Sequence, residues 1–274
     1  MTARDKLSVI VITRNEAQRL PTCLRSVAFA DEIVVVDSGS TDGTPDIARR
    51  LGARVVETGD WPGFGAQKQR ALDAASGDWV LSLDADEWLD ETLAAGVQDV
   101  VAGRGPVRAD AWQVERLSAF CGQWMRAGSW FPDRLPRLFR RGSARFSDDQ
   151  VHERLLVDAP QGGSRALPVL PGWLLHNSIG SLHDGIEKMN RYTTGRAADL
   201  QRQGRGGGLR AALGHGVAAF LRSYLLRRGF LDGRRGFVLA MLDAQGSCTR
   251  YLKLWLDSQP VPHELPPPGR SSKG

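Results

Sequence analysis

The stretch WVLSLDADEW, residues 79–88, runs from an apolar segment into three carboxylates, Asp84, Asp86 and Glu87, within four positions. Left to themselves these charges repel one another. Side chains at i and i+2 leaving a strand point to one side, so Asp84 and Asp86 are spaced to meet one hard divalent cation, Mg2+ or Mn2+, which would offset the repulsion and face a phosphate. A D-x-D pair also occurs in solvated loops, so its meaning depends on its surroundings. Other polar groups cluster in short motifs: TRNE with Thr13, Asn15 and Glu16, then DSGSTDG with Asp37, Ser38, Gly39 and Ser40. Lys68 stands in AQKQRAL, FSDDQVHERL holds Asp148, Asp149, His152 and Glu153, and His176 ends VLPGWLLH.

The elements that position these groups are legible in the hydrophobic pattern. LSVIVI (7–12), EIVVVD (32–37), ARVVE (53–57) and WVLSLD (79–84) are continuous apolar, β-branched runs, as expected of strands covered on both faces. Helical spacing follows: Leu20, Leu24 and Val27 share one face, as do Ile47 and Leu51, with Asp42 or Thr44 as the cap and Gly52 as the stop. Repeated strand and helix with short connections predict a parallel α/β sheet with right-handed crossovers. Ligands of such sheets bind beyond the carboxyl ends of the strands, where TRNE, DSGSTDG and DADE fall. From about residue 105 strand-like pieces (AWQVERL, PRLFRR, ERLLV) alternate with Trp-, Pro- and Gly-rich loops and are expected to cover the active edge of the sheet. After His176 the pattern is helical.

Composition narrows the class. At 274 residues and 42% hydrophobic content the chain has enough apolar surface for an ordinary globular enzyme. Cys23, Cys121 and Cys248 are far apart and odd in number, which argues against a disulfide framework or zinc knuckle and for a reducing, cytoplasmic setting. No apolar run reaches the length of a signal-peptide core or a membrane span. The net charge of +5 is uneven: from Arg196 to Lys253 eleven Arg or Lys stand against three Asp. Nucleic acid and an anionic membrane surface both attract such charge, but the arginines lack interleaved stacking aromatics, which disfavours nucleic acid.

VIVITRNE, VVVDSGSTDGT and GFGAQKQRALDAASGDWVLSLDADE, in this order and spacing, resemble glycosyltransferase family 2, the nucleotide-sugar-dependent transferases of GT-A fold. DEIVVVDSGSTDGT, VHERL, LLHNSIGSL and EKMNRYTT look more narrowly like the lipopolysaccharide-core beta-glucosyltransferase subgroup. The resemblance implies a Rossmann-like, mostly parallel sheet with helices on both faces over residues 1–180, C-terminal helices over 181–256 and a disordered tail over 257–274. It implies that Thr13, Asn15, Glu16 and Asp37 line the base and ribose pocket, with Ser38, Gly39 and Ser40 beside them. Lys68, where many relatives carry the arginine of ARN, is then a point charge for the diphosphate. Asp84 joins the donor site, and Asp86 is the direct ligand of Mg2+ or Mn2+. A late histidine completes the metal shell, His176 in preference to His152.

The reaction so implied is inverting transfer of a sugar from a nucleotide diphosphate sugar to a hydroxyl of a glycolipid or glycan. It needs a carboxylate base. The E-D pair of many relatives is not visible, and the candidates are Glu153 first, then Asp149 and Asp148. Trp130, Arg134 and Arg137 either line an acceptor site or simply pack. In the helical portion Leu209, Leu213, Val217, Phe220, Leu221, Tyr224 and Leu225 form a stripe among Arg210, Arg222, Arg227 and Arg228. Such a stripe suits peripheral docking on the cytoplasmic face of a membrane, or else packing against the first domain. Two other functions fit the motifs: a haloacid-dehalogenase-like phosphatase with Asp84 as nucleophile, and a non-catalytic sugar-nucleotide-binding module.

Overall fold

The computed structural model describes residues 4–147, 154–158 and 166–259, and the chain divides into two compact units, Met1–Ser181 and Leu182–Gly274. The first begins with β1 (Leu7–Thr13), α1 (Leu20–Ser26), β2 (Glu32–Asp37), α2 (Thr44–Arg50), β3 (Arg54–Glu57), α3 (Phe64–Ala74) and β4 (Trp79–Asp84). The strands pair in parallel in the order β3-β2-β1-β4. Alternate side chains divide between two cores, because successive residues of a strand face opposite ways. Val9, Val11, Val35, Leu81 and Leu83 pack with Leu20, Leu24, Val27 and Ala48 from the α1 and α2 side. Ile10, Ile12, Val34, Val36 and Val80 pack with Ala71 and Leu72 of α3 on the other face. Each such side chain stabilises the fold by about 1.5–3 kcal/mol. The winding therefore reverses between β1 and β4, and the crevice left at their carboxyl ends is where Thr13 and Asp84 stand.

The cap of α2 differs from both expectations. Gly43 occupies the cap position in the left-handed region at φ 84°, while the Asp42 carboxylate accepts from the Thr44 amide at 3.1 Å and from its hydroxyl at 2.5 Å. Asp42 thus closes the turn one residue earlier, because the left-handed backbone at the cap favours glycine. Helix α2 ends as expected, at Gly52 with φ 84°.

Beyond β4 the unit adds β5 (Glu87–Leu89), α4 (Glu91–Val101), β6 (Ala111–Phe120), β7 (Gln123–Trp124), β8 (Arg134–Arg140), β9 (Ala144–Phe146), β10 (Leu155–Val157) and β11 (Leu174–Ile179). The sheet continues β4-β8-β6-β11-β5, with β8 antiparallel to both neighbours, β11 parallel to β6 and β5 antiparallel to β11. It is parallel in its first half and mixed in its second, where α4 stands between β5 and β6 in the chain. His176 lies inside β11, not at the threshold of the helical region. The approach of β11 to α4 needs Gly172, at φ 93°, since a Cβ there would stand 2.3 Å from the Leu93 amide nitrogen.

The second unit consists of α5 (Leu182–Arg202), α6 (Leu209–Leu221), a π-helical turn (Arg222–Leu226), a 3-10 turn (Gly229–Asp232) and α7 (Gly233–Leu256). Ala197, Ala212, Tyr251 and Leu254 form its small core, and Lys253 Nζ joins α7 to α5 through Asn190, Thr193 and Thr194. Among the described residues no helix is long and apolar enough to cross a membrane. The tail expected over 257–274 begins later than expected, since residues 257–259 stay hydrogen-bonded to the last turn of α7, and from residue 260 onward it lies outside the described residues.

Candidate functional site

The turn after β1 and the turn after β2 hold each other through hydrogen bonds, and Asp37 is their hub. The buried Asp37 carboxylate accepts from Thr13 Oγ1 at 2.9 Å, from the Ser40 amide at 2.8 Å and from Ser40 Oγ at 2.5 Å. Ser40 Oγ in turn accepts from the Asn15 amide at 2.8 Å, and Asn15 Oδ1 accepts from the Thr41 amide at 2.8 Å. Asn15 at φ 57° and Gly39 at φ 76° both take left-handed backbone, which makes the two turns tight. Asp37 therefore does not cap α2. Glu16 is anchored through its own amide, which donates to Thr44 Oγ1 at 2.8 Å. Burial raises the Glu16 carboxyl above its ordinary range; Arg19 opposes this, and the charge of Asp86 adds to the rise. The β1 turn and the D-x-D segment are thus electrostatic neighbours.

The carboxylates of the opening motif have separate partners. Asp84 Oδ1 meets Lys68 Nζ at 2.7 Å, and Oδ2 meets the Arg137 guanidinium at 3.0 Å. Burial pushes the Asp84 carboxyl up, but Lys68 and Arg137 outweigh it and hold it well below the usual carboxylate range. Glu87, fully buried, accepts from Arg137 and Arg116 at 3.0 Å each through Oε1, and its Oε2 accepts from the Asp84 amide at 3.0 Å. Arg116 continues to Asp133 at 2.8 Å. A chain of alternating charge, Lys68–Asp84–Arg137–Glu87–Arg116–Asp133, thus joins α3, β4, β8, β5 and β6. Lys68 is 3% exposed, so it is not a solvated helix face.

Asp86 turns away from this chain. Its Oδ2 stands 3.3 Å from His176 Nε2, and its backbone carbonyl accepts from the Asn177 amide at 3.2 Å. His176 pairs in register with Ser118 of β6 and Glu87 of β5, and its Nδ1 is 3.0 Å from Ser118 Oγ. With the proton on Nδ1, that nitrogen donates to Ser118 and Nε2 presents its lone pair beside Asp86. A divalent cation needs this tautomer. Among the described residues no group of three or more His, Cys, Asp or Glu side chains has a metal-holding arrangement. One carboxylate and one imidazole fit an ion whose remaining ligands are phosphate oxygens and water; the carboxylate, phosphate and water oxygens suit Mg2+ or Mn2+.

Thr13, Asn15, Asp37, Ser38, Gly39 and Ser40 are thus gathered at one end of the sheet, with Lys68 and Asp84 across the switch point and Asp86 beside His176. Glu153, Asp149, Asp148 and His152 lie outside the described residues. Two positions went unread in the sequence. Glu87 counted only as one more acid, although it is the buried hub of the ion chain. Gln67, fully buried, donates to Ser38 Oγ at 2.8 Å and Thr58 Oγ1 at 2.7 Å and so fastens α3 to the β2 turn. The signal for Gln67 was its place beside Lys68, on the same turn of a helix whose neighbours are apolar. Arg137 pairs with Asp84 and Glu87 in the ion chain, so it does more than pack.

A family model described as Glycosyl transferase family 2 matches residues 8–104. Over 254 residues the chain is 30% identical to an uncharacterised glycosyltransferase of Rickettsia prowazekii, spanning 91% of this chain and 86% of that one. The chain belongs to glycosyl transferase family 2. It is a glycosyltransferase, and the phosphatase alternative falls away; both oxygens of Asp84, the would-be nucleophile, are held in ion pairs. This family member is also 31% identical over 253 residues to the lipopolysaccharide core biosynthesis glycosyltransferase LpsC of Rhizobium meliloti, across 89% of this chain and 90% of that one. A crystal structure of glucosyl-3-phosphoglycerate synthase from Mycobacterium tuberculosis, in complex with Mn2+, uridine diphosphate and glucosyl-3-phosphoglycerate, is 28% identical. That match covers 42% of this chain and 44% of that one, with a TM-score of 0.35.

Proposed function

We propose that this glycosyltransferase moves a sugar, with inversion, from a nucleotide diphosphate sugar to a hydroxyl of a glycolipid or glycan in lipopolysaccharide core or related envelope synthesis. The carrying observation is the convergence at one switch point of the Asp37 hub, the Lys68–Asp84 pair and the Asp86–His176 pair. The relation to LpsC supports the acceptor class. Asp37 and the β1 turn offer acceptors for ribose hydroxyls and ring N–H groups. Lys68 carries its charge toward the diphosphate, and Asp84 keeps it in place until the donor binds. Asp86 and His176 would hold Mg2+ or Mn2+, which, when bound, neutralises charge developing on the departing diphosphate.

In the transfer itself the acceptor oxygen bonds to the anomeric carbon opposite the leaving group. The bond from that carbon to the diphosphate oxygen breaks, and the hydroxyl proton passes to a carboxylate, for which Glu153 is proposed ahead of Asp149. The enzyme works at the cytoplasmic side of a membrane, with its helical unit toward the anionic surface. A panel of sugar nucleotides with Mg2+ or Mn2+ tests the reading: one donor should release free nucleoside diphosphate in the presence of a lipid-linked glycan acceptor. Release from none of them, with or without the metal, would overturn it.

A further inference from the structure

The second unit carries an apolar surface that its own core does not use. Leu209, Leu213, Val217, Leu221 and Leu225 follow one another at four-residue spacing and are all exposed, so they take no part in this unit's own core. The largest exposures come at the corner after α6, where Leu226 is 79% and Leu231 is 67% exposed, with Phe230, Phe237 and Met241 exposed beside them. Phe230 and Phe237 belong to one ring cluster with Phe220 and Tyr224. Tyr224 stands 5.6 Å from Phe237 and 6.2 Å from Phe230, and Phe220 stands 5.7 Å from Phe237. The corner is tightly folded, since a Cβ on Gly236 would lie 1.9 Å from the Gly229 carbonyl oxygen. Leu226 and Leu231 stand exposed on either side of Gly229 in this corner.

Charge selects the partner. Arg210, Arg222, Arg227, Arg228, Arg234 and Arg235 are all exposed, and the last five fall within residues 222–235, the corner segment itself. From Arg205 to Met241 the sequence contains one acid, Asp232, and it is buried. A second copy of the chain would bring the same arginines against these, whereas an anionic bilayer offers hydrocarbon to the leucines and phosphates to the arginines. We infer that the α6–α7 corner is a membrane-penetrating tip, with Leu226 and Leu231 entering the acyl boundary of an anionic leaflet and the surrounding arginines meeting its headgroups. The inference deepens the membrane association in the proposed function by naming the element that enters the bilayer.

The test is co-sedimentation of the full chain with vesicles of phosphatidylcholine alone or with about one-third phosphatidylglycerol, at low and high salt. The chain should bind the anionic vesicles, and Leu226→Ser with Leu231→Ser should weaken binding at least about tenfold. Arg222→Gln with Arg234→Gln should remove about tenfold and abolish the preference for phosphatidylglycerol. Release of nucleoside diphosphate in solution should be unchanged in both pairs, so a failure of the transferase reading is visible separately. Binding to neither vesicle, or equal binding by the leucine pair and the wild type, would overturn the inference. So would a dimer in light scattering that the leucine pair dissociates while vesicles leave the wild type in solution.

Discussion

The two ends of the same four parallel strands treat carboxylates in opposite ways. At the amino ends acids close the structure: Asp78 accepts from the Lys6 amide at 2.8 Å, and Asp31 accepts from the Leu7 amide at 3.0 Å. Glu32 accepts from Ser8 Oγ at 2.5 Å, from the Ser76 amide at 2.8 Å and from Arg54 at 2.8 Å. Each of these acids finds its donors within the parallel half. At the carboxyl ends Asp84, Asp86 and Glu87 crowd together beyond what the parallel half satisfies: Lys68 comes from α3, but Arg116 and Arg137 arrive from β6 and β8 of the mixed half. Acids that a fold needs are satisfied where they stand. The acids at the carboxyl ends draw much of their counter-charge from strands of the mixed half.

The comparison is broken most severely by Glu87→Ala, which leaves the buried Arg137 and the half-buried Arg116 without their shared carboxylate. A loss of about 3–5 kcal/mol in urea unfolding is expected, with Glu87→Gln losing less. Next comes Asp37→Asn, which keeps the shape but sets an amide against hydroxyl donors. Donor KM should rise about tenfold to a hundredfold, with a smaller loss of stability than for Glu87→Ala.

The amino end sharpens the contrast through pH. Burial raises the Glu32 carboxyl, but Ser8, Arg54 and Ser76 overcome it and lower it to about 2. A lowered folded value means that the contribution is present above the unfolded value, about 4.3, and is lost as pH falls toward 2. Glu32→Gln should therefore flatten the acid limb of stability over that window, leaving activity near neutral pH unchanged. Asp84 shifts in the same direction and supplies part of the remaining acid sensitivity. The smallest effect is expected of Gly39→Ala. A Cβ there meets nothing within 4 Å, but φ stands at 76°. About 1 kcal/mol of stability should be lost, read as a small fall in Tm.

The parallel half was legible because its strands are continuous β-branched runs and its helices have clean apolar spacing. The same regularity placed Thr13, Asp37 and Asp84 at one edge before any coordinates. The mixed half was not, because no local pattern fixes which strand lies beside which. That Arg137 of β8 and Arg116 of β6 share Glu87 follows only from the strand order β4-β8-β6-β11-β5. His176 was picked out through the family resemblance, while its pairing with Ser118 depends on the β6–β11 register. Lys68 illustrates both cases: its position on α3 was readable, and its burial against Asp84 was not.

The central claim is that the acids at the carboxyl ends hold a divalent ion against a sugar diphosphate, with Asp86 as the direct ligand. Mn2+ affinity of the wild type and of Asp86→Asn, measured by calorimetry in the presence of a nucleoside diphosphate and alongside donor turnover, tests it most directly. Affinity and turnover should both fall at least about a hundredfold in the variant while its unfolding curve stays close to wild type. Unchanged Mn2+ affinity together with unchanged turnover would contradict it.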